Sequence, residues 1–193
     1  MSTTPQISSR TLVLIVVSIA INMIGGQITS MVKLPIFLDS IGTLICALLG
    51  GPWVALFTGL LTNLLWGLIS GPMAAAFAPV AMMIGLSAGL LARAGGFRSL
   101  IRVVGSGVVI TLALMIVAVP IRTYLFGGAT GSGADFFVAY FHAVGEGLIE
   151  SVAITVLGAN LADKILSAII AWLLVRQLPQ RTQRNFPAMA KVR

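Results

Sequence analysis

The chain has 193 residues, of which 58% are hydrophobic and 9% are charged. This composition leaves too little polar surface to cover a water-soluble domain, so the sequence predicts an integral membrane protein. The net charge is +7, but the basic residues concentrate near the ends of apolar segments and in the tail. That pattern sets orientation in a lipid bilayer and argues against a nucleic-acid partner.

Six apolar segments predict transmembrane helices. They are residues 11–29, 37–49, 53–69, 75–92, 103–126 and 161–178. The first is long and uncharged and runs into further spans, so we expect it to be retained rather than cleaved as a signal peptide. Glycine and proline together break helices, and they separate consecutive spans at residues 50–52 and 70–72. We therefore predict one all-α membrane domain, residues 11–178, between an N-terminal segment 1–10 and a basic tail 179–193.

The basic residues predict the orientation of the six spans. With six spans, nine of the twelve fall on one side: Arg10, Arg93, Arg98, Arg102, Arg176, Arg181, Arg184, Lys191 and Arg193. Loops rich in Lys and Arg stay in the cytoplasm. We therefore expect both termini on the cytoplasmic side of the cell (cytoplasmic or inner) membrane.

Residues 135–158 form an apolar segment that carries His142, Glu146 and Glu150 at spacings of four. On a helix these side chains share one face, and a spanning helix tolerates that face only beside a polar cavity. A seventh span here would place the basic tail opposite the other arginines, against the charge bias. We expect one helix, or two short ones, on the outer side that dips into the protein. Asn160 is then expected to cap the last span, with Asp163 near its N-terminus.

The loop after the first span contains Lys33, Pro35 and Asp39. Pro35 cannot continue a preceding helix but fits an early position in a new one, so the chain is expected to turn here. Asp39 then falls in the first turns of the next helix, where the helix dipole favours an anion. Two interpretations stay open: an interfacial turn with a capping acid, or the mouth of a ligand site.

The predicted topology gathers charged residues in the outer half of the protein. These are Asp39, Asp135, Glu146, Glu150 and Asp163, together with Lys33, Arg122, His142 and Lys164. An unpaired charge at membrane depth costs roughly 2.5–3.5 kcal/mol, so these groups should pair or line a wet cavity. Structural ion pairs and interfacial anchors are the alternative to a binding site.

Asn63 and Trp66 lie three residues apart in the third span. On one helical face they would offer an amide and a stacking surface to a ligand, or else a helix contact and an interfacial tryptophan. The candidate substrate-binding residues are therefore Lys33, Asp39, Asn63, Trp66, His142, Glu146 and Glu150.

Enzymatic function is not supported by the sequence. His142 and Glu146 have the spacing of two metal ligands, but one histidine and the single Cys46 make a zinc site of the usual type improbable. No glycine-rich phosphate loop ends in Lys-Ser or Lys-Thr, so the chain has no ATPase of its own. We expect no catalytic residues, no metal and no cofactor, and any ATP must be hydrolysed by partners.

Three short motifs carry a resemblance to a known family. They are LPIFLDSIGT (34–43), LGGP (49–52) and DKI (163–165), the last leading into AWLL (171–174). Over about residues 11–179 the chain resembles the substrate-binding S components of energy-coupling factor (ECF) transporters. The resemblance implies a subunit that captures a vitamin or related micronutrient from outside. It then docks on one transmembrane coupling subunit and two cytoplasmic ATPases, which tip it and release the substrate inward.

The docking face of this family is also an expectation from the resemblance. Many members carry alanines four apart in the first span, whereas here Ala20 is followed at that spacing by Ile24. The candidate docking row is instead Ser18, Asn22 and Gly26, small enough to let another helix approach.

The cargo and the function class leave alternatives. Cobalt and nickel members use an N-terminal histidine with no counterpart here, so a metal cargo is disfavoured. An acid-rich cavity with a histidine and an aromatic residue suits an amine-bearing or heteroaromatic vitamin, such as thiamine, pyridoxine or a cobalamin precursor. The alternative is a self-contained facilitator or channel, or an accessory subunit that binds no ligand. The outer location of the polar residues favours capture.

Overall fold

The computed structural model describes residues 8–183, 185–186 and 188–189, and within them the regular structure is entirely helical. The helices are α1 (Ser9–Met31), α2 (Ile41–Gly50), α3 (Pro52–Ser70), α4 (Pro72–Ala76), α5 (Ala78–Arg93), α6 (Leu100–Pro120), α7 (Asp135–Ala143), α8 (Leu148–Gln177) and α9 (Gln180–Gln183). A π-helix, Ile121–Leu125, continues α6 after Pro120.

Four of the described helices are long and apolar enough to cross a membrane. They are α1, α3, α6 with its π-helical extension, and α8, while α2 and α5 are shorter apolar helices. Together they indicate a multi-pass membrane protein. The prediction of an all-α membrane bundle is confirmed at this level, and the number of six spans stays a prediction.

Helices α3 and α5 pack antiparallel, and small residues allow the close approach. In the pair α3 and α5, a Cβ added to Gly59 would lie 2.4 Å from the carbonyl oxygen of Ala81, and one added to Gly85 would lie 2.4 Å from that of Ala55. Side chains larger than hydrogen therefore cannot fit at these two glycines without moving the helix backbones apart.

The two ends of the helical bundle differ in charge. One end gathers the C-terminal ends of α1, α3 and α6 with the first turns of α2 and α5. The other end carries exposed arginines: Arg10, Arg93, Arg98, Arg102 and Arg176. The acidic residues lie toward the end opposite these arginines, so charge is distributed unequally along the axis of the bundle.

Helix α2 forms the centre of the bundle, because α1, α3, α5 and α8 all contact it. Of its ten residues only Ile45 and Gly50 are not buried. The apolar core continues from α2 toward the arginine-rich end, where it includes Cys46, Leu48, Leu49, Phe97, Val103 and Val175, each at most 2% exposed.

The last long helix differs from its prediction. Helix α8 begins at Leu148 rather than near residue 161. Asn160 lies inside it and donates its amide Nδ2–H to the carbonyl of Val156 at 2.9 Å. Asn160 therefore does not cap a helix, because the preceding turn of α8 already supplies the helical hydrogen bonds.

Two further boundaries correct the sequence predictions. Residues 144–147 are not helical and separate α7 from α8, so His142, Glu146 and Glu150 do not share one helical face. Helix α2 begins at Ile41, and Asp39 lies before it in a non-helical segment. Asp39 is therefore not in the first turn of α2, and its carboxylate pairs with Lys164.

The chain ends are described in part. Arg10 donates to Asn185 Oδ1 at 2.9 Å, which joins the start of α1 to the segment after α9. Most of the N-terminal segment predicted at residues 1–10, and Arg184, Lys191 and Arg193 of the basic tail, lie outside the described residues.

Candidate functional site

A cavity of about 310 Å³ lies at the end of the bundle opposite the exposed arginines. Its size is near the lower end of the range of ligand pockets, about 300–1,000 Å³. It is lined by parts of the helices α1 to α6, of the π-helix and of α8, and by the two segments 34–40 and 130–133. Its polar and charged lining residues include Asp39, Ser40, Asn63, Arg122 and Lys164, and its aromatic lining residues are Phe37, Trp66 and Phe77.

Lys164 is the buried cation at one wall of the cavity. Its Nζ donates to Ser40 Oγ at 2.9 Å, to Asp39 Oδ1 at 3.3 Å and to Asp163 Oδ2. The Lys164 side chain is 2% exposed and that of Asp163 is fully buried, whereas the Asp39 side chain is 35% exposed. Of these three charged groups, Asp39 is therefore the one that a molecule in the cavity can reach.

Asp163 fixes the path of the segment before α2. Its Oδ1 accepts hydrogen bonds from the backbone amides of Phe37 at 3.1 Å and Leu38 at 2.7 Å. Leu38 has a φ of 48°, a left-handed conformation that is uncommon outside glycine. Thr29 Oγ1 donates to the carbonyl of Phe37 at 2.6 Å. These bonds place Asp39 at the cavity wall.

Arg122 forms a second ion pair, with Asp135. Arg122 Nη2 lies 2.6 Å from Asp135 Oδ1, and Arg122 Nε donates to the carbonyl of Gly128 at 2.9 Å. Asp135 Oδ2 also accepts from the backbone amides of Thr130 and Gly131, at 2.9 and 2.6 Å. The pair therefore holds the loop between α6 and α7 against the cavity. It matches the structural ion-pair alternative left open by the sequence.

Asn63 and Trp66 both line the cavity from α3. Asn63 Nδ2 donates to the carbonyl of Ala74 at 3.1 Å, so part of its role is a helix contact. Trp66 packs against Gly26, where an added Cβ would lie 2.0 Å from the indole ring. The glycine on α1 therefore leaves the space that the tryptophan ring occupies.

Lys33 lies near the cavity but does not line it. It is exposed, and its Nζ donates to the carbonyl of Gly131 at 2.8 Å. Its observed contact therefore joins the first loop to the loop between α6 and α7.

His142, Glu146 and Glu150 are not brought to the cavity. All three are exposed, and none belongs to its lining. His142 Nδ1 lies 2.9 Å from the carbonyl oxygen of Glu146, a contact within the turn between α7 and α8. Because that turn ends the helix, the spacing of four residues does not direct the side chains into the protein.

The predicted docking row also has a different position. Ser18, Asn22 and Gly26 are buried, with Ser18 1% and Asn22 0% exposed. Asn22 donates to the hydroxyls of Thr43 and Thr62 at 2.8 and 3.1 Å. The row is covered by α2 and α3, which corrects the prediction that it faces a partner.

The sequence places Asp163 near the N-terminus of the last span and groups it with Lys164 among the outer charges, without assigning either to the candidate site. The structure buries both and connects them to the segment that carries Asp39. The signal in the sequence is the pair of adjacent opposite charges inside an apolar helix, since buried charges in spans require partners.

The chemistry of the site rests on these side chains. Within the part of the chain that the structure describes, no three His, Cys, Asp or Glu residues gather as a metal site. Comparison with protein-family models, with characterised proteins and with solved structures gives no match.

Proposed function

We propose that this protein is the substrate-capturing membrane subunit of an ECF-type importer for a vitamin or related micronutrient. It has six spans, formed by α1, α2, α3, α5, α6 and α8, with both termini in the cytoplasm. The proposal combines the resemblance of the motifs at residues 34–43, 49–52 and 163–165 with the position of the cavity.

The position of the cavity carries the proposal. The cavity lies at one end of the helices, and exposed arginines lie at the other, at the start of α1 and α6 and the end of α5 and α8. Basic loops remain cytoplasmic. The cavity then faces outward, as a subunit that collects a substrate from outside requires.

The apolar core supports capture over free passage. Below the cavity, toward the arginine-rich end, lie side chains that are at most 2% exposed, including Leu48, Phe97 and Val103. A facilitator or channel needs a polar pathway that reaches both sides. Release inward therefore depends on a partner that changes the position of the whole subunit.

The partners follow from the resemblance and from the absent nucleotide-binding motif in the sequence. We expect one transmembrane coupling subunit and two cytoplasmic ATPases. Affinity purification of the chain from its own membranes in mild detergent should recover an ATPase pair. The contrary result is purified chain without ATPases that carries small solutes through liposomes by itself, which would favour the facilitator.

A further inference from the structure

We infer that the cavity takes a small organic cation, with the Asp39 carboxylate as its counter-charge. This inference rests on the proposed function and names the chemical class of its cargo. It follows from which charges a ligand can reach, how they are paired, and which side chains surround them.

The ion pairs at the cavity contain one more carboxylate than cations. Asp39, Asp163 and Asp135 supply three carboxylates, and Lys164 and Arg122 supply two cations. Lys33, near the cavity, is exposed and donates to the carbonyl of Gly131 instead of pairing with one of these carboxylates. Lys164 is shared by the carboxylates of Asp39 and Asp163, and Asp163 also bonds to the backbone before α2. Two carboxylates therefore share one cation, and a cationic ligand would supply the missing positive charge.

Accessibility assigns that negative charge to Asp39. Among the described residues that line the cavity, Asp39 is the one with a carboxylate, and its side chain is 35% exposed. The two lining cations, Arg122 and Lys164, have side chains that are 4% and 2% exposed and already bond to Asp135 and Asp163. An anionic ligand would have to break these pairs to find a partner.

Aromatic rings on the cavity wall fit the same ligand class. Phe37, Trp66 and Phe77 all line the cavity. The faces of such rings attract cations, and aromatic rings are a common means of binding ammonium ligands. The volume of about 310 Å³ limits the ligand to a small molecule.

The test uses three probes of similar shape and different charge at neutral pH. They are benzylamine, a cation; benzyl alcohol, which is neutral; and benzoate, an anion. Their affinities for the purified full-length chain in lipid nanodiscs are measured by titration calorimetry. Benzyl alcohol can also donate a hydrogen bond to the carboxylate, but the charge of the ammonium strengthens this bond, which predicts about 10-fold tighter binding of benzylamine than of benzyl alcohol. Benzoate should bind more weakly than either.

Two variants assign the preference to Asp39. Asp39→Asn should remove the preference for benzylamine, whereas Asp39→Glu should keep it. The matched controls are Glu146→Gln and Glu150→Gln, since both carboxylates are exposed and outside the cavity. These controls should bind all three probes like the unmodified chain. If Asp39→Asn does not fold, the probe series on the unmodified chain still decides.

Equal binding of the three probes, tighter binding of benzoate, or no binding of any probe would overturn the inference. So would a benzylamine preference that survives in Asp39→Asn. Recovery of the ATPase pair from the same membranes distinguishes the two levels of the proposal. With the pair recovered, such a result rejects the cationic cargo alone, and without it the capture function fails as well.

Discussion

Replacing Asn22 with leucine tests whether the small-residue row of α1 is an internal contact. Asn22 Oδ1 accepts from the backbone amides of Gly42 at 2.7 Å and Thr43 at 3.3 Å. Both amides lie in the first turn of α2, where a helix offers no carbonyl partner. Leucine would leave both donors buried without an acceptor, at about 1–3 kcal/mol each.

The expected loss in free energy of unfolding is therefore about 2–6 kcal/mol. The lower part of that range is expected, because a membrane chain finds substitute partners when unfolded. The loss is measured by titrating the purified protein in mixed micelles with SDS. Ala20→Leu is the control, since Ala20 is exposed on the same helix, and it should change stability by less than about 0.5 kcal/mol.

An Asn22→Leu protein as stable as the unmodified chain would refute the internal-contact reasoning. If that stable variant also lost the ATPases on purification, the row would be the docking face that the sequence suggested.

Four other predictions concern the packing of the helices, the Asp163 anchor and the topology. Gly42→Ala should cost about 1–3 kcal/mol by SDS titration, because its Cβ would meet the α1 backbone at 2.0 Å. Gly105→Ala, with nothing within 4 Å, should be neutral or stabilising by up to about 1 kcal/mol. Asp163→Asn should cost about 3–5 kcal/mol, since it leaves a buried lysine poorly paired, and should increase labelling of cysteines placed in segment 36–38; unchanged labelling would contradict its anchoring role. A cysteine replacing Ser99 should not react with a membrane-impermeant reagent added outside intact cells. Labelling from outside would contradict the predicted topology.

Much of the architecture was predictable because the local sequence of a membrane helix is recognisably apolar. Long apolar runs indicate α1, α3 and α6, and the Gly-Pro steps at residues 50–52 and 70–72 separate helices in the structure as they do in the sequence. The beginning of α8 was not predictable in this way. Its first two turns carry Glu150, which lowers the apolar signal although the backbone stays helical.

The site was predictable where burial forces charges to pair, and not where side-chain direction decides. Asp39, Asn63 and Trp66 line the cavity, as the sequence suggested, because Asp39 lies just before α2 and the other two lie in the last two turns of α3. Glu146 was predicted to line the cavity because of its helical spacing from His142 and Glu150. The four residues 144–147 are not helical, so that spacing does not put the three side chains on one face. The small row on α1 was assigned to a partner because small residues permit any close helix contact, internal or external.

The central claim is that the cavity holds a cargo handed to an ATP-driven partner. Native mass spectrometry of the chain, purified with mild detergent from its own membranes, tests this most directly. The account predicts a one-to-one complex with a small organic molecule, and a fraction of the chain bound to a membrane coupling subunit and two ATPases. A chain that carries neither a small molecule nor these partners would contradict it.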